Sequence, residues 1–317
     1  MNDLNFKIDF YQYGHNGDAI TSKEFIRQVI TEYPMFDYTL YHTVNAKVLH
    51  DLNIKFVPLV DQFDLSKKFY RSKNYLAISI GCSTYTPPHF GPAHKNNQPP
   101  YYFKLGIHLN MLRQMWGDIF DIINEHCSTN LTVREANYYL PTIDYDKFDI
   151  KKIDEFISID SNKKILLCNG PTLTGQSFAE DFSDILPDIC NLHPDKTFIC
   201  TKSFNTNIPN LKFTNDIIGV QGSDLNEIGY LSRSCDLIVG KHSGPFMFTL
   251  TKENLLDPTK IFLSFVAPLN DSFPIGANIN AQYIVSKVSN YYNNVYNNNN
   301  YDADRTKDII SRCLDYI

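Results

Sequence analysis

The sequence predicts an α/β protein made of two halves, each built on a parallel sheet with helices on its faces. Three observations carry that expectation. Short apolar runs alternate with amphipathic segments of helical period along most of the chain, the pattern of repeated strand–helix–strand units. The alternation occurs twice, and each time it opens with a strand that runs into a glycine-containing turn, "YQYGHNGD" and "LLCNGP". At 317 residues the chain is too long for one ordinary core and comfortable for two.

The first half reads in order. "FKIDFYQY" is a short apolar strand that breaks at "GHNGD". In "TSKEFIRQVITEYP" the residues Phe25, Ile26, Val29 and Ile30 share one helical face, and the segment stops before Pro34. Thr21 and Glu24 suit a capping box with Ile20 and Phe25 as its hydrophobic staple, and Asp18 competes as the N-cap. "FDYTLYHT" is a second strand, "VNAKVLHDLN" a second helix, "KFVPLV" a third strand and "NYLAISIG" a fourth. The stretch 82–102 is rich in Pro, Gly and Asn and long for a plain connection, which suits a binding loop or lid. "YFKLGIHLNMLRQMWGDIFDIIN" is an amphipathic helix that holds Trp116. The charged segment that follows places the domain boundary near Asp160, giving domains 1–160 and 161–317.

The second half repeats the theme. "KKILLCNG", "KTFICTK", "DIIGVQG", "CDLIVG" and "KIFLSF" read as strands. "QSFAEDFSDILPDICNLHP", "SDLNEIGYLSRS" and "GPFMFTLTKENLLD" read as helices, with Asp224 and Glu227 as a capping-box pair. An asparagine and tyrosine tract, "NYYNNVYNNNN", has nothing to pack. A last amphipathic segment, 302–317, closes the chain and is expected to pack back on the first domain.

Composition narrows the function. Lys+Arg 29 against Asp+Glu 35 gives a net charge of -6, so there is no basic excess to neutralise a nucleic-acid backbone. No segment has the length and apolarity of a membrane span, and the N-terminus lacks the apolar run of a signal peptide. The seven cysteines are scattered without a CxxC pair, which points to a reducing, cytoplasmic setting. Cys82, His89 and His94 have a spacing that fits no metal site, and no metal is expected.

The stretch "CDLIVGKHSGPFMF" joins a strand to a helix through Ser243, Gly244 and Pro245. Pro245 suits a first helical turn. Gly244 lets the backbone come close to a ligand. The amides of Phe246 and Met247 would then point out of the helix start, with the positive end of the dipole behind them. Ser243 adds a hydroxyl. That makes a site for a phosphate or diphosphate. A tight turn with Ser243 as a plain cap explains the same residues equally well.

"GSDLNEIGYLSRSCDLIVGKHSGPFMF" resembles the nucleotide-sugar-binding region of glycosyltransferase family 9, the heptosyltransferase-like enzymes. The match runs through Asp224, Leu225, Glu227, Leu231, Asp236, Leu237, Val239, Gly240, Ser243, Gly244 and Pro245. "GHNGDAITSKEFIRQVITEYP" is similar to the family's N-terminal motif at Gly14, Gly17, Asp18, Ile20, Ser22, Ile26 and Arg27. "KKILLCNGP" stands where the family has a strand ending in Asn-Pro-Gly. Departures are His242 for the family's Asp, Met247 for its His, and the order Asn169-Gly170-Pro171.

The resemblance implies a GT-B fold: two Rossmann-like domains whose parallel sheets face each other across a cleft. It implies transfer of a sugar from a nucleotide-sugar donor to a glycan or other hydroxyl acceptor, inverting and metal-independent, with no cofactor beyond the donor substrate. Asp18 matches the family's general base, with His15 in the same loop as a substitute, and a plain helix cap is the alternative for Asp18. On the donor side the resemblance implies the turn Ser243, Gly244, Pro245, Phe246 and Met247. By position, Glu227 suits ribose hydroxyls or a capping box with Asp224, His242 a diphosphate contact or plain filling of the turn, and Thr172 and Thr174, after the strand ending at Asn169, phosphate oxygens or a structural turn. Two other functions fit the same residues. One is a nucleotide-sugar epimerase of the same fold; the other is a non-catalytic nucleotide- or glycan-binding relative.

Overall fold

In the computed structural model the residues described are 6–64, 67–81, 109–170, 182–219, 224–241, 243–265, 273–274, 276–286 and 302–317. They divide into two compact units, the first Met1–Pro141 with Phe273–Asn278, the second Thr142–Ser272 with Ile279–Ile317.

Unit 1 holds β1 (Lys7–Gln12), α1 (Asn16–Glu32), β2 (Asp37–His42), β3 (Lys55–Pro58), β4 (Phe69–Ser72), β5 (Tyr75–Ser79) and α2 (Leu109–Cys127). Its sheet has the order β3-β2-β1-β5-β4 among the described residues. β1 pairs parallel with β2 and β5, and β2 with β3. β4 runs antiparallel to β5, so the sheet is not purely parallel as the sequence suggests. β4 escapes a reading of periodicity because only Phe69 and Tyr70 of its four residues are apolar. The chain moves outward from β1 to β3, then crosses to β5, which makes the β1/β5 boundary a topological switch point.

Side chains explain the packing. Ile8, Phe10 and Tyr11 of β1 are fully buried, as expected for a strand covered on both faces. Phe25 on α1 stacks on Trp116 of α2, with ring centroids 5.1 Å apart, and on Tyr139 at 3.7 Å. Beneath α1 lies an ion pair with both side chains fully buried, Lys23 Nζ to Asp51 Oδ2 at 2.5 Å. Arg27 joins it, 3.2 Å from Asp51 and 3.0 Å from Glu24. Burial pulls the Lys23 ammonium below its ordinary range, and Asp51 acts against that shift with a smaller effect.

α1 starts five residues before the expected Thr21 cap, at Asn16. Thr21 and Glu24 therefore sit inside the helix, buried, and make no capping box. His15 takes the N-cap position, and Asp18 is its third helical residue. "VNAKVLHDLN" forms only a 3₁₀ turn, Ala46–Leu49, with the Asn45 side chain accepting the Lys47 N–H at 2.9 Å.

Unit 2 begins earlier than the expected boundary at 160. Its elements are α3 (Lys151–Ile159), β6 (Lys163–Cys168), α4 (Leu186–Leu192), β7 (Lys196–Cys200), β8 (Leu211–Phe213), α5 (Thr214–Ile218), α6 (Leu225–Ser232), β9 (Leu237–Lys241), α7 (Gly244–Thr249), α8 (Lys252–Leu256), β10 (Ile261–Phe265), β11 (Gln282–Ser286) and α9 (Ala303–Leu314). α3 belongs to this unit because Asp154 accepts the Tyr230 hydroxyl at 2.7 Å and Tyr145 packs edge-on to the Tyr230 ring. The sheet order is β11-β10-β9-β6-β7-β8, parallel throughout among the described residues. The switch point is β6/β9.

Two expectations change here. The described start of "DIIGVQG" is helical: Asp216–Ile218 finish α5, which ends on Gly219 in the left-handed region at φ 66°, and 220–222 lie outside the described residues. The neighbouring strand β8 is three residues long, too short to show alternation. "GPFMFTLTKENLLD" is two helices, because Thr251 caps a new one through its hydroxyl on the Asn254 N–H. α9 belongs to unit 2. Ile310, Cys313 and Leu314 enter the unit 2 core beside Ile189 and Leu211, and the Lys196 ammonium donates to the Ile317 carbonyl at 3.2 Å. Cys168, Cys190, Cys200, Cys235 and Cys313 are all buried in this unit, and burial pushes the Cys235 thiol up to about 12. The tract 290–300 and the loop 82–102, with Cys82, His89 and His94, lie outside the described residues. No helix among the described residues is long and apolar enough to cross a membrane.

Candidate functional sites of the two units

In each unit the residues of interest gather at the carboxyl ends of the central strands, where open α/β sheets bind ligands. In unit 1 the turn between β1 and α1 is held by side chains from both ends. The Thr43 hydroxyl, just past β2, donates to the Gly14 carbonyl at 2.7 Å and accepts the Gly14 N–H at 3.4 Å. Asp18 Oδ2 accepts the His15 N–H at 2.8 Å. A Cβ on Gly14 would meet Asp18 Oδ2 at 3.0 Å and Gln12 Nε2 at 3.2 Å. Glycine therefore lets a carboxylate and an amide approach one point of the turn. The structure places Asp18 and His15, both named from the sequence, in this turn together.

It adds two residues that sequence reasoning missed, Gln12 and His42. They are register partners at the last positions of β1 and β2, so their side chains leave the same face of the sheet. Both are buried, and Gln12 Oε1 and His42 Nε2 have no hydrogen-bond partner among the described residues. His42 Nδ1 accepts the Val44 N–H at 3.0 Å, which puts the ring proton of the neutral imidazole on Nε2. Burial, and to a lesser degree the charge of His15, pull its pKa from 6.5 to about 4. The signal that could have found the pair is a polar residue ending each apolar run.

That shift has a measurable sign. The unfolded histidine takes up a proton before the folded one, so unit 1 loses stability as pH falls from 6.5 toward about 4. The loss attributable to His42 reaches ~3 kcal/mol at the acid end. Urea unfolding of wild type and His42→Asn across this range reads it, because Asn keeps an acceptor for Val44 N–H and does not titrate. Identical pH slopes in the two proteins would remove His42 as the cause.

In unit 2 the register pairs Cys168 of β6 with Gly240 of β9. Asn169 and Gly170 therefore leave β6 beside Lys241 and Ser243 leaving β9. A Cβ on Gly240 would lie 2.6 Å from Phe246 Cδ2 and 2.8 Å from Cys168 Cβ, so glycine is what lets α7 sit directly on β9. Pro245 is in the first turn of α7, and Ser243 is its N-cap residue by backbone position, without a side-chain cap bond. The Met247 N–H donates to the Ser243 carbonyl at 2.9 Å, so it closes the helix and does not point outward as expected. The Phe246 side chain is core, packed edge-on to Phe262; only its backbone is near the junction.

The other named residues divide. Asn169 is a structural staple: its Oδ1 accepts the Lys202 N–H at 2.9 Å, and its Nδ2 donates to Ser183 Oγ at 2.7 Å and to the Lys202 carbonyl at 3.0 Å. Glu227 is fully buried in the first turn of α6, and Asp224 stands at the N-cap without a side-chain cap bond, so the expected capping box is not formed from that side. His242, Thr172 and Thr174 lie outside the described residues. Asp236, from the matched motif, accepts the Lys164 N–H at 3.0 Å and the Lys163 ammonium at 2.8 Å, which ties the start of β9 to β6. Two lysines at the same edge went unremarked in the sequence. Lys241 ends β9 fully buried, with its ammonium 5.7 Å from the Phe182 ring centroid. The Lys202 stem runs past Gly170, whose added Cβ would touch it at 3.5 Å.

Two such units, each a parallel-type α/β sheet with its candidate residues at the switch-point edge, define a GT-B architecture of two Rossmann-like domains. Among solved structures, the chain is similar to the E. coli heptosyltransferase WaaC with ADP. That match has 7% identity and a TM-score of 0.51, covering 98% of this chain and 99% of that one. It is also similar to a glycosyl transferase family 9 protein from Veillonella parvula, at 12% identity and a TM-score of 0.50, covering 90% of this chain and 87% of that one. A third match is WaaC with ADP-2-deoxy-2-fluoro heptose, at 8% identity and a TM-score of 0.50, covering 97% and 100%. No protein-family model matches the sequence, and no curated protein matches it.

Proposed function

We propose that the chain is a glycosyltransferase that moves a sugar from a nucleotide-sugar donor, bound by unit 2, to a hydroxyl acceptor bound by unit 1. The observation that carries this reading is the β6/β9 edge. Gly170 and the Ser243-Gly244-Pro245 turn lie side by side on neighbouring strands, with Lys202 alongside. Backbone amides at a strand–helix turn, with a cation nearby, suit a diphosphate. The same groups would stabilise charge on the diphosphate as it leaves, so no bound metal is required of this chemistry. In unit 1, Asp18 would take the acceptor proton as the hydroxyl attacks the anomeric carbon, and the product is inverted by a single displacement. The similar structures support the reading through fold; two of them contain ADP or an ADP-sugar.

The test is sugar transfer in EDTA from a panel of nucleotide sugars, with and without hydroxyl acceptors. Donor consumption that depends on the acceptor is expected. Conversion of the donor without acceptor would make the protein an epimerase, and binding without turnover would make it a non-catalytic relative. Gly244→Val should weaken nucleoside diphosphate binding at least about tenfold, because a branched side chain fills the point where backbone and phosphate must meet. Calorimetry on the folded variant reads it; unchanged affinity would take the Ser-Gly-Pro turn out of the donor site.

A further inference from the structure

We propose that Gln12 and His42 form a receptor for one hydroxyl group of a neutral sugar or polyol, so that unit 1 takes an uncharged acceptor. This rests on the glycosyltransferase reading and names the substrate class of its acceptor side. A hydroxyl is both donor and acceptor, and the pair offers one complement of each. His42 Nε2–H is a buried donor and Gln12 Oε1 a buried acceptor, on register partners of adjacent strands. A buried polar group left unmet is costly, and here two belong to register partners at the sheet edge where ligands bind. One hydroxyl that accepts from His42 and donates to Gln12 removes both costs.

The surroundings select against an anion. Asp18 Oδ2 and Gln12 Nε2 flank the same point at Gly14, 3.0 and 3.2 Å from where a Cβ would be. A phosphate or carboxylate reaching Gln12 would come close to the Asp18 carboxylate. His42 offers a hydrogen bond without charge, since burial keeps the ring neutral. The turn above the pair, Gly14 to Asp18, is solvent-accessible, and Thr43 holds it in place from β2. A polyol resting on that turn can lower one hydroxyl to the pair and present a second to Asp18. Gln12 and His42 are then positioning residues for the acceptor.

The experiment uses the full chain labelled with ¹⁵N-histidine, with methyl α-mannopyranoside as the neutral probe and mannose 6-phosphate as the anionic one. The His42 Nε2–H resonance, assigned by its loss in His42→Asn, is expected to move with the neutral probe. Affinity for the phosphate should be about tenfold weaker, and Gln12→Met should lose about tenfold for the neutral probe, the worth of one hydrogen bond. A resonance unmoved by the neutral probe at about 100 mM overturns the proposal. So does an exchange peak to a water that the probe does not displace, or an equal response to both probes. Protection against thermal unfolding by ADP, UDP, GDP and CDP, each tried in turn, is read on the same sample. Protection by a nucleoside diphosphate with no polyol response defeats this inference alone; polyol response with protection by none of them defeats the transferase reading and leaves the hydroxyl site standing.

Discussion

Asp18→Asn is expected to lower turnover ~100- to 10,000-fold while donor affinity stays unchanged, the loss typical of a removed general base. The substitution separates chemistry from structure. Asp18 stands at the third position of α1, where its Oδ2 accepts the His15 N–H at 2.8 Å. The Asn side chain keeps a carbonyl oxygen for that bond, so the turn is preserved, but it cannot take a proton from an attacking hydroxyl. A purely capping Asp18 predicts a stability change of about 1 kcal/mol or less and near-normal kinetics. Turnover at saturating acceptor, measured beside a melting curve, decides. A variant that keeps most of its rate makes Asp18 a cap, and His15 becomes the residue to test.

Asp51→Ala is expected to cost unit 1 about 3–5 kcal/mol, because it strands a buried ammonium. Lys23 and Asp51 are fully buried, and the Lys23 pKa is already lowered by burial in spite of Asp51. Taking the carboxylate away leaves Glu24, among the described residues, to offset desolvation, and its effect is the smallest of those on Lys23. The combined change Lys23→Met with Asp51→Leu is expected to be close to neutral, since two apolar groups can replace the pair. Trp116 is the sole tryptophan of the chain and stacks on Phe25 of α1, so its emission follows the helix that carries Lys23. Denaturation curves of Asp51→Ala that overlay wild type would show that the ion pair adds nothing.

Much of the architecture was legible because burial writes it into the sequence. β1, β2, β5, β6, β7, β9 and β10 are apolar runs covered on both faces, and α6 and α9 have the helical period. What escaped had little apolar signal. β4 pairs at an edge, β8 is three residues long, and β11 alternates only weakly. The start of α1 was misplaced because Thr21 and Glu24 fit a capping box, while His15 and Asp18 form the turn that the β1 exit dictates. The site was half legible. Glycines and the Ser-Gly-Pro turn announce close backbone approach. Gln12, His42, Lys202 and Lys241 do not, since a polar residue at the end of an apolar run looks like the edge of a strand. Only the register, which sets Gln12 beside His42 and Cys168 beside Gly240, turns them into neighbours.

The distribution of tryptophan and cysteine gives each unit its own built-in gauge. Trp116, the one tryptophan, is packed inside the first unit. Cys168, Cys190, Cys200, Cys235 and Cys313 are sealed in the second, whereas Cys127 of the first is half-buried. With Cys82 and Cys127 of unit 1 told apart by peptide mapping, a thiol reagent applied during a denaturant titration clocks the opening of unit 2, while fluorescence under the same conditions clocks unit 1. A two-unit protein has no single unfolding free energy unless both open together. Here the question of whether they do is answerable on the natural sequence, without cutting the chain or substituting a residue.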